Sequence, residues 1–264
     1  MKITICKSAQ SLGTCAAADI AARLRAAVQA QGGARLLVST GASQLTTLTA
    51  LVEEDVPWDK IEMFHLDEYV ALPETHKASF RKYLKERFTG RVPLKQAWFV
   101  DGTRENLELL TRELRRAPVD LGLIGIGENG HIAFNDPPAD FETREAYHIV
   151  TLNDTCKKQQ VREGWFDTAA DVPARAVSMT AYQIMQCRAI ISCVPYAVKA
   201  PAVRDTLESH AVTNLVPATL LKQHPDFTLY LDGESAMLTD ETKIDPLDGT
   251  LVLAHESDGR RIQA

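Results

Sequence analysis

Three short stretches carry side chains that can do chemistry, and each follows an apolar run. The first is "STGAS", residues 39–43, where hydroxyls and a glycine precede a helical pattern. Free N–H groups at a helix start, with the helix dipole behind them, suit an anion such as phosphate, and Thr40 and Ser43 add hydroxyl donors. The stretch lacks the lysine of the GxxxxGK[ST] nucleotide loop, and ordinary turn-and-cap chemistry also accounts for these residue types. The second is "HLDEY", 65–69, with Asp67 and Glu68 just past an apolar strand. Neighbours on extended chain point to opposite sides, so one carboxylate faces a site. Beside apolar walls its pKa rises and it can act as a base; a solvated loop is the plain alternative. The third is "GENGHIAFND", 127–136. Its glycines let backbone approach a ligand closely. His131 is a candidate proton-transfer group, and Asn129 and Asp136 stand where they can orient it or share its proton.

These stretches need a frame that brings them together. Lys2–Cys6 reads as a strand and Ala9–Gln31 as a helix stopped by Gly32 and Gly33. "ARLLVST" (34–40) reads as a strand, with Ser43 expected to cap a helix from Gln44 to about Glu53. Further strands are expected at "IEMFHL" (61–66), "LGLIGI" (121–126), "AYHIVTL" (146–152), "AIISCV" (189–194) and "TLYLD" (228–232). Helices are expected over Ser79–Phe88, Thr103–Arg116 and Tyr196–Leu207. Alternating strands and helices predict a three-layer, Rossmann-like open α/β sheet, mostly parallel, with helices on both faces. No break in composition marks a linker, so one domain over 1–264 is expected. In such sheets ligands bind beyond the carboxyl ends of the strands, which puts the three stretches on one rim.

Composition narrows the function. The chain has 264 residues, 45% hydrophobic and 24% charged, with a formal net charge of −6. No basic block is present, which argues against nucleic acid as a partner. Cys6, Cys15, Cys156, Cys187 and Cys193 are scattered and form no CxxC, as expected of reduced thiols in a cytoplasmic protein. The N-terminus shows no signal peptide, and no apolar run has the roughly 18 residues of a membrane span. HxH, HExxH and GxSxG are all missing, and although "GIGENG" (125–130) carries the glycine spacing of GxGxxG, a histidine follows it directly. His65 and Asp67 share one side of a strand but make only a two-ligand pair, so no metal is expected.

With these residues assembled, the chain resembles the glucosamine-6-phosphate deaminase (isomerase) family, which shares its fold with 6-phosphogluconolactonases. The resemblance runs from "LLVSTGAS" through "FHLDEYVALPETHKASFRKYL", "GIGENGHIAFNDP" and "VPARAVSMT" to "LYLD", nearly the whole chain. The "HIAFND" stretch favours the deaminase branch. The resemblance implies cofactor-free ring opening, aldose–ketose isomerisation and loss of ammonia from an amino-sugar phosphate. The expected substrate is glucosamine 6-phosphate and the product fructose 6-phosphate. Asp67 matches the base that moves a proton between C2 and C1. His131 matches the group that assists ring opening, Asp136 its acid partner and Asn129 its second polar neighbour. Thr40, Gly41, Ala42 and Ser43 match the phosphate loop, and Lys199 a phosphate-binding lysine. Arg162 is the nearest match to a phosphate-binding arginine, with Lys157 and Lys158 as competitors. Position 136 is commonly glutamate in the family, and the shorter Asp136 could lengthen the contact with His131 or favour another epimer. Some members are hexamers activated by a phosphorylated amino sugar. The matching basic positions here read His148 and Val150, so that control is expected to be missing; a monomer and a homo-oligomer both remain open. The alternatives are a galactosamine-6-phosphate deaminase, a lactonase on the same fold and a sugar-phosphate sensor.

Overall fold

The computed structural model describes residues 1–247 and 249–256. In chain order the elements are β1 (Lys2–Cys6), α1 (Ala9–Gln31), β2 (Ala34–Val38), α2 (Leu45–Leu51), β3 (Ile61–His65), β4 (Asp67–Tyr69), α3 (Phe80–Leu84), β5 (Gln96–Trp98), α4 (Arg104–Arg115) and β6 (Leu121–Leu123). There follow β7 (Tyr147–Thr151), α5 (Asp154–Arg162), β8 (Arg175–Met179), α6 (Ala181–Ile184), β9 (Ala189–Val194), α7 (Ala200–Leu207), β10 (Phe227–Asp232), α8 (Gly233–Ala236) and β11 (Val252–His255).

Eight strands form one sheet in the order β11-β1-β10-β9-β6-β2-β3-β5, and every pairing in it is parallel. The central strands β2, β9 and β10 are buried along their whole length, as a parallel sheet covered on both faces requires. Alternate residues feed opposite layers. Leu37, Ile190 and Leu229 pack with α4, α6 and α7. Leu36, Val38 and Ile191 pack with α1, α2 and α3. The three-layer expectation therefore holds.

Local signals hold at most element ends. Ser8 and Ser11 make a reciprocal cap at the start of α1, and Gly32 closes it at φ 79° with its N–H on Val28 O. Ser79 caps α3, which ends in a wider turn over Lys85–Thr89. Three local expectations fail. Ser43 caps nothing: β2 stops at Val38, Gly41 bends the chain at φ 107°, and a 3₁₀ turn over Ala42–Gln44 leads into α2. "DEY" is a strand and not a loop, and "YHIVT" lies outside the main sheet. β4, β8 and β7 form a second, antiparallel sheet of three strands. Strand periodicity is the same in both sheets, so the pattern alone could not assign β7 to one of them.

The chain order reverses between β2 and β6: β2 leads to β3 on one side, while β6 leads to β9 on the other. Such a switch point opens a crevice at the carboxyl ends of the two strands.

Candidate active site

The crevice is a cleft lined by the turn after β2, by Asp67, by Gly125–Glu128 and His131 after β6, and by Lys199 after β9. The three chemically distinctive stretches therefore share one rim. A fourth wall comes from α5, through Cys156, Gln159 and Gln160. Their spacing of three and four residues puts them on one helix face.

Asp67 is the first residue of β4, opposite Ser178 of β8. It is 6% exposed, and its Oδ1 has no hydrogen-bond partner among the described residues. Burial, reinforced by the charge of Glu68, pushes its pKa up to about 8. Glu68 points the other way and is fully buried. Its carboxylate accepts from Ser79 Oγ (2.9 Å), the N–H groups of Tyr69, Phe80 and Arg81 (2.9–3.2 Å) and Arg81 Nε (3.3 Å). The strand thus separates a poorly solvated cleft carboxylate from one that anchors the start of α3.

His131 is held by its own loop. Its Nδ1 lies 2.6 Å from Asn129 Oδ1 and 3.2 Å from Asp136 Oδ1, and Asn129 Nδ2 donates to the same Asp136 oxygen at 3.0 Å. Both neighbours present oxygen to Nδ1, which assigns the ring proton to that nitrogen and leaves Nε2 as the acceptor. Burial works against the Asp136 carboxylate, but bonds from His131, Asn129 and the Cys156 thiol outweigh it and hold its pKa below the usual range. The shorter acid therefore reaches His131 directly. Gly127 N–H donates to His131 O (2.8 Å) and Gly130 N–H to Gly127 O (3.1 Å). A Cβ on Gly127 would lie 2.1 Å from His131 Cε1. That close approach explains a glycine at 127, and φ 79° explains the one at 130. The next segment is fixed by Asn135, which donates to Ile132 O and Met179 O and accepts from His148 Nε2.

At the other end, the hydrogen-bonded turn begins with Gln44 N–H on Gly41 O (3.1 Å) and Leu45 N–H on Ala42 O. The N–H groups of Thr40 to Ser43 precede it, as at any helix start, and Tyr83 Oη fixes the loop by donating to Gly41 O (3.0 Å). Lys199 is 8% exposed. Burial lowers its pKa, and no carboxylate among the described residues lies within ion-pair distance of it. Arg162, at the end of α5, does not line the cleft; it pairs with Glu128, which does. Lys157 and Lys158 do not line it either. Sequence reading missed Glu128, Cys156 and Tyr196. The inward face of α5 was legible in its spacing, but Tyr196 was not. It adopts φ 83° because its N–H is drawn to the Asp232 carboxylate (3.1 and 3.2 Å), a contact 36 residues away in sequence. His65 is a neutral core histidine: it is fully buried, its Nδ1 accepts from Val100 N–H, and burial pushes its pKa down to about 3. Among the described residues no group of three or more His, Cys, Asp and Glu is arranged to hold a metal ion. No described helix is long and apolar enough to cross a membrane.

A glucosamine-6-phosphate deaminase of Streptococcus thermophilus is 34% identical over 209 residues, covering 78% of this chain and 88% of the relative. One from Streptococcus pneumoniae is 33% identical over 216 residues, covering 80% and 90%. Among solved structures, a monomeric glucosamine-6-phosphate deaminase superposes with a TM-score of 0.81 at 27% identity, over 90% of this chain and 100% of that one. The 6-phosphogluconolactonase of Thermotoga maritima superposes at 0.72 with 16% identity, over 88% and 100%, which shows the shared fold. The sequence pattern of the family described as "Glucosamine-6-phosphate isomerases/6-phosphogluconolactonase" matches residues 7–230, and the chain belongs to that family.

Proposed function

We propose that the cleft converts glucosamine 6-phosphate and water to fructose 6-phosphate and ammonia. The observation that carries this reading is Asp67, a buried cleft carboxylate with an unpartnered oxygen and a pKa near 8, on the same rim as the His131–Asp136 pair. A base of that pKa can take and return a carbon-bound proton close to neutral pH. The names of the Streptococcus relatives support the same reaction.

In this reading the N–H groups of the 39–43 loop, with Lys199, hold the 6-phosphate. His131 Nε2 accepts the proton of the anomeric hydroxyl and returns a proton to the ring oxygen as the ring opens. Asp136 and Asn129 keep the other nitrogen protonated, so one tautomer is always presented. Asp67 then removes the C2 proton and delivers it to C1. The substrate's aldehyde takes up the electron pair, and the product is a C2 imine that water hydrolyses with release of ammonia. Each charge that develops is held by the substrate's own carbonyl and imine, so the scheme calls for no cofactor.

The experiment is ammonia release measured in parallel on glucosamine 6-phosphate and galactosamine 6-phosphate, with hydrolysis of 6-phosphogluconolactone as a third arm. Ammonia from glucosamine 6-phosphate is expected. Ammonia only from the galactose epimer would reassign the substrate, and lactone hydrolysis alone would overturn the deaminase reading.

A further inference from the structure

Glu128 stands in the glycine-rich loop yet takes no part in the chemistry above. It lines the cleft with its side chain 19% exposed, and its one side-chain partner among the described residues is the guanidinium of Arg162 on α5. Arg162 is 58% exposed and outside the cleft lining. Lys199 lies in the same cleft, and the charges that act on it are those of Glu163 and Glu128, which favour the ammonium, and Arg162, which opposes it. Glu163 is already engaged, accepting from Gln159 Nε2 at 2.7 Å and Trp165 Nε1 at 3.0 Å. Glu128 is therefore the carboxylate that neutralises this cationic corner through a direct ion pair.

We infer that Glu128 is a built-in counter-ion that competes with the substrate's phosphate for Arg162, and so limits affinity at the anion end of the cleft. The inference rests on the phosphate-binding part of the function proposed above. A phosphate dianion and a carboxylate seek the same donors, and a guanidinium makes its best bonds to one of them at a time. When phosphate arrives, Arg162 must leave Glu128 or be shared. The carboxylate then faces a dianion in a partly desolvated cleft, where like charges repel more strongly than in water. Both effects weaken binding. The value of the pair to the enzyme is that Arg162 is held in place before substrate enters.

The test is calorimetric binding of inorganic phosphate to Glu128→Gln, Arg162→Gln and the double variant. Glu128→Gln keeps the shape and removes the charge, so phosphate should bind about two- to fivefold more tightly, the scale of one partly exposed ion pair. Arg162→Gln should weaken phosphate binding, and by a larger factor in the Glu128→Gln background, where the guanidinium has no rival partner. Equal or weaker phosphate binding by Glu128→Gln overturns the inference, and so does its failure to fold, since either result makes the pair a structural tie for α5. Phosphate binding is read without turnover. A chain that binds phosphate as described yet releases no ammonia would sink the functional reading alone.

Discussion

Asp67 and Glu68 are neighbours in sequence and opposites in environment: Glu68 is saturated with donors from the start of α3, while Asp67 has an orphaned oxygen in the cleft. One turn of the extended backbone separates the two fates. Because Glu68 cannot rotate toward the cleft without abandoning its donors, its charge is a fixed contribution to the raised pKa of Asp67.

Asp67→Asn should therefore do two separable things. It should lower kcat at least about 100-fold, the usual scale for losing a general base, and abolish solvent-deuterium exchange at C1 of fructose 6-phosphate; wild-type exchange in the variant would refute the assignment. It should also change the pH dependence of stability. The folded-state pKa lies above the unfolded one, so the folded protein holds this proton more tightly, and that stabilisation is lost as pH rises from about 4 through about 8. The variant lacks that loss, so its Tm should gain on wild type between pH 5 and 9. A constant Tm difference would mean that Asp67 is not held protonated. In the wild type, kcat/KM should rise through the same range as the base form appears.

Gly127→Ala should displace His131 without removing any polar group. The added methyl group would lie 2.1 Å from Cε1 and 2.2 Å from Nε2, so the ring has to move. A loss of roughly 100-fold or more in kcat/KM is expected, comparable with losing the proton transfer itself, while inorganic phosphate should bind as before. Full activity in this variant would show that the ring works from another position.

Both variants rest on features that differ in how legible they were. The main sheet was readable because its strands are short apolar runs set between helical spacings. The rim followed from its parallel sense alone, which is why Thr40, Asp67 and His131 could be grouped before any geometry was known. The second sheet was not readable, since Tyr147–Thr151 and Asp67–Tyr69 carry no mark of the sheet they join. Ser43 misled because serine before a helix usually caps it, whereas here Gly41 makes the turn and the segment tightens to 3₁₀. The Arg162–Glu128 pair joins residues 34 apart through a helix whose packing only the fold defines.

Lys199→Ala should raise KM more than it lowers kcat, because a phosphate contact stabilises ground state and transition state alike. A loss of about tenfold or more in affinity for inorganic phosphate is the expected scale for a buried charged hydrogen-bond donor. If phosphate inhibits variant and wild type equally, the ammonium does not serve the anion site. The stability of the variant should not fall as much as for a paired buried charge, since no carboxylate among the described residues is left without a partner by the change.

Asp136 offers the sharpest separation of charge from shape. Its Oδ1 is shared between His131 Nδ1 at 3.2 Å and Asn129 Nδ2 at 3.0 Å, within a site that is 13% exposed at the acid. Asp136→Asn keeps the volume but allows an amide N–H to face Nδ1. That would favour the other tautomer and place the proton on Nε2, where an acceptor is needed. A fall in kcat of about 100- to 10⁴-fold is expected, the range over which a buried acid orients a catalytic imidazole. Stability supplies an independent reading. The folded-state pKa of Asp136 is depressed, so its stabilising contribution is present above the unfolded value of 3.8 and is lost as pH falls below it. The Asn variant should lose less stability on acidification than wild type. Asp136→Glu keeps the charge, but its extra methylene enters a position already in direct contact with His131 and Asn129, so activity should be retained only in part. If kcat is unchanged in Asp136→Asn, the carboxylate does not set the histidine's tautomer. If its acid unfolding also superimposes on wild type, the ion pair with His131 contributes nothing to the fold either.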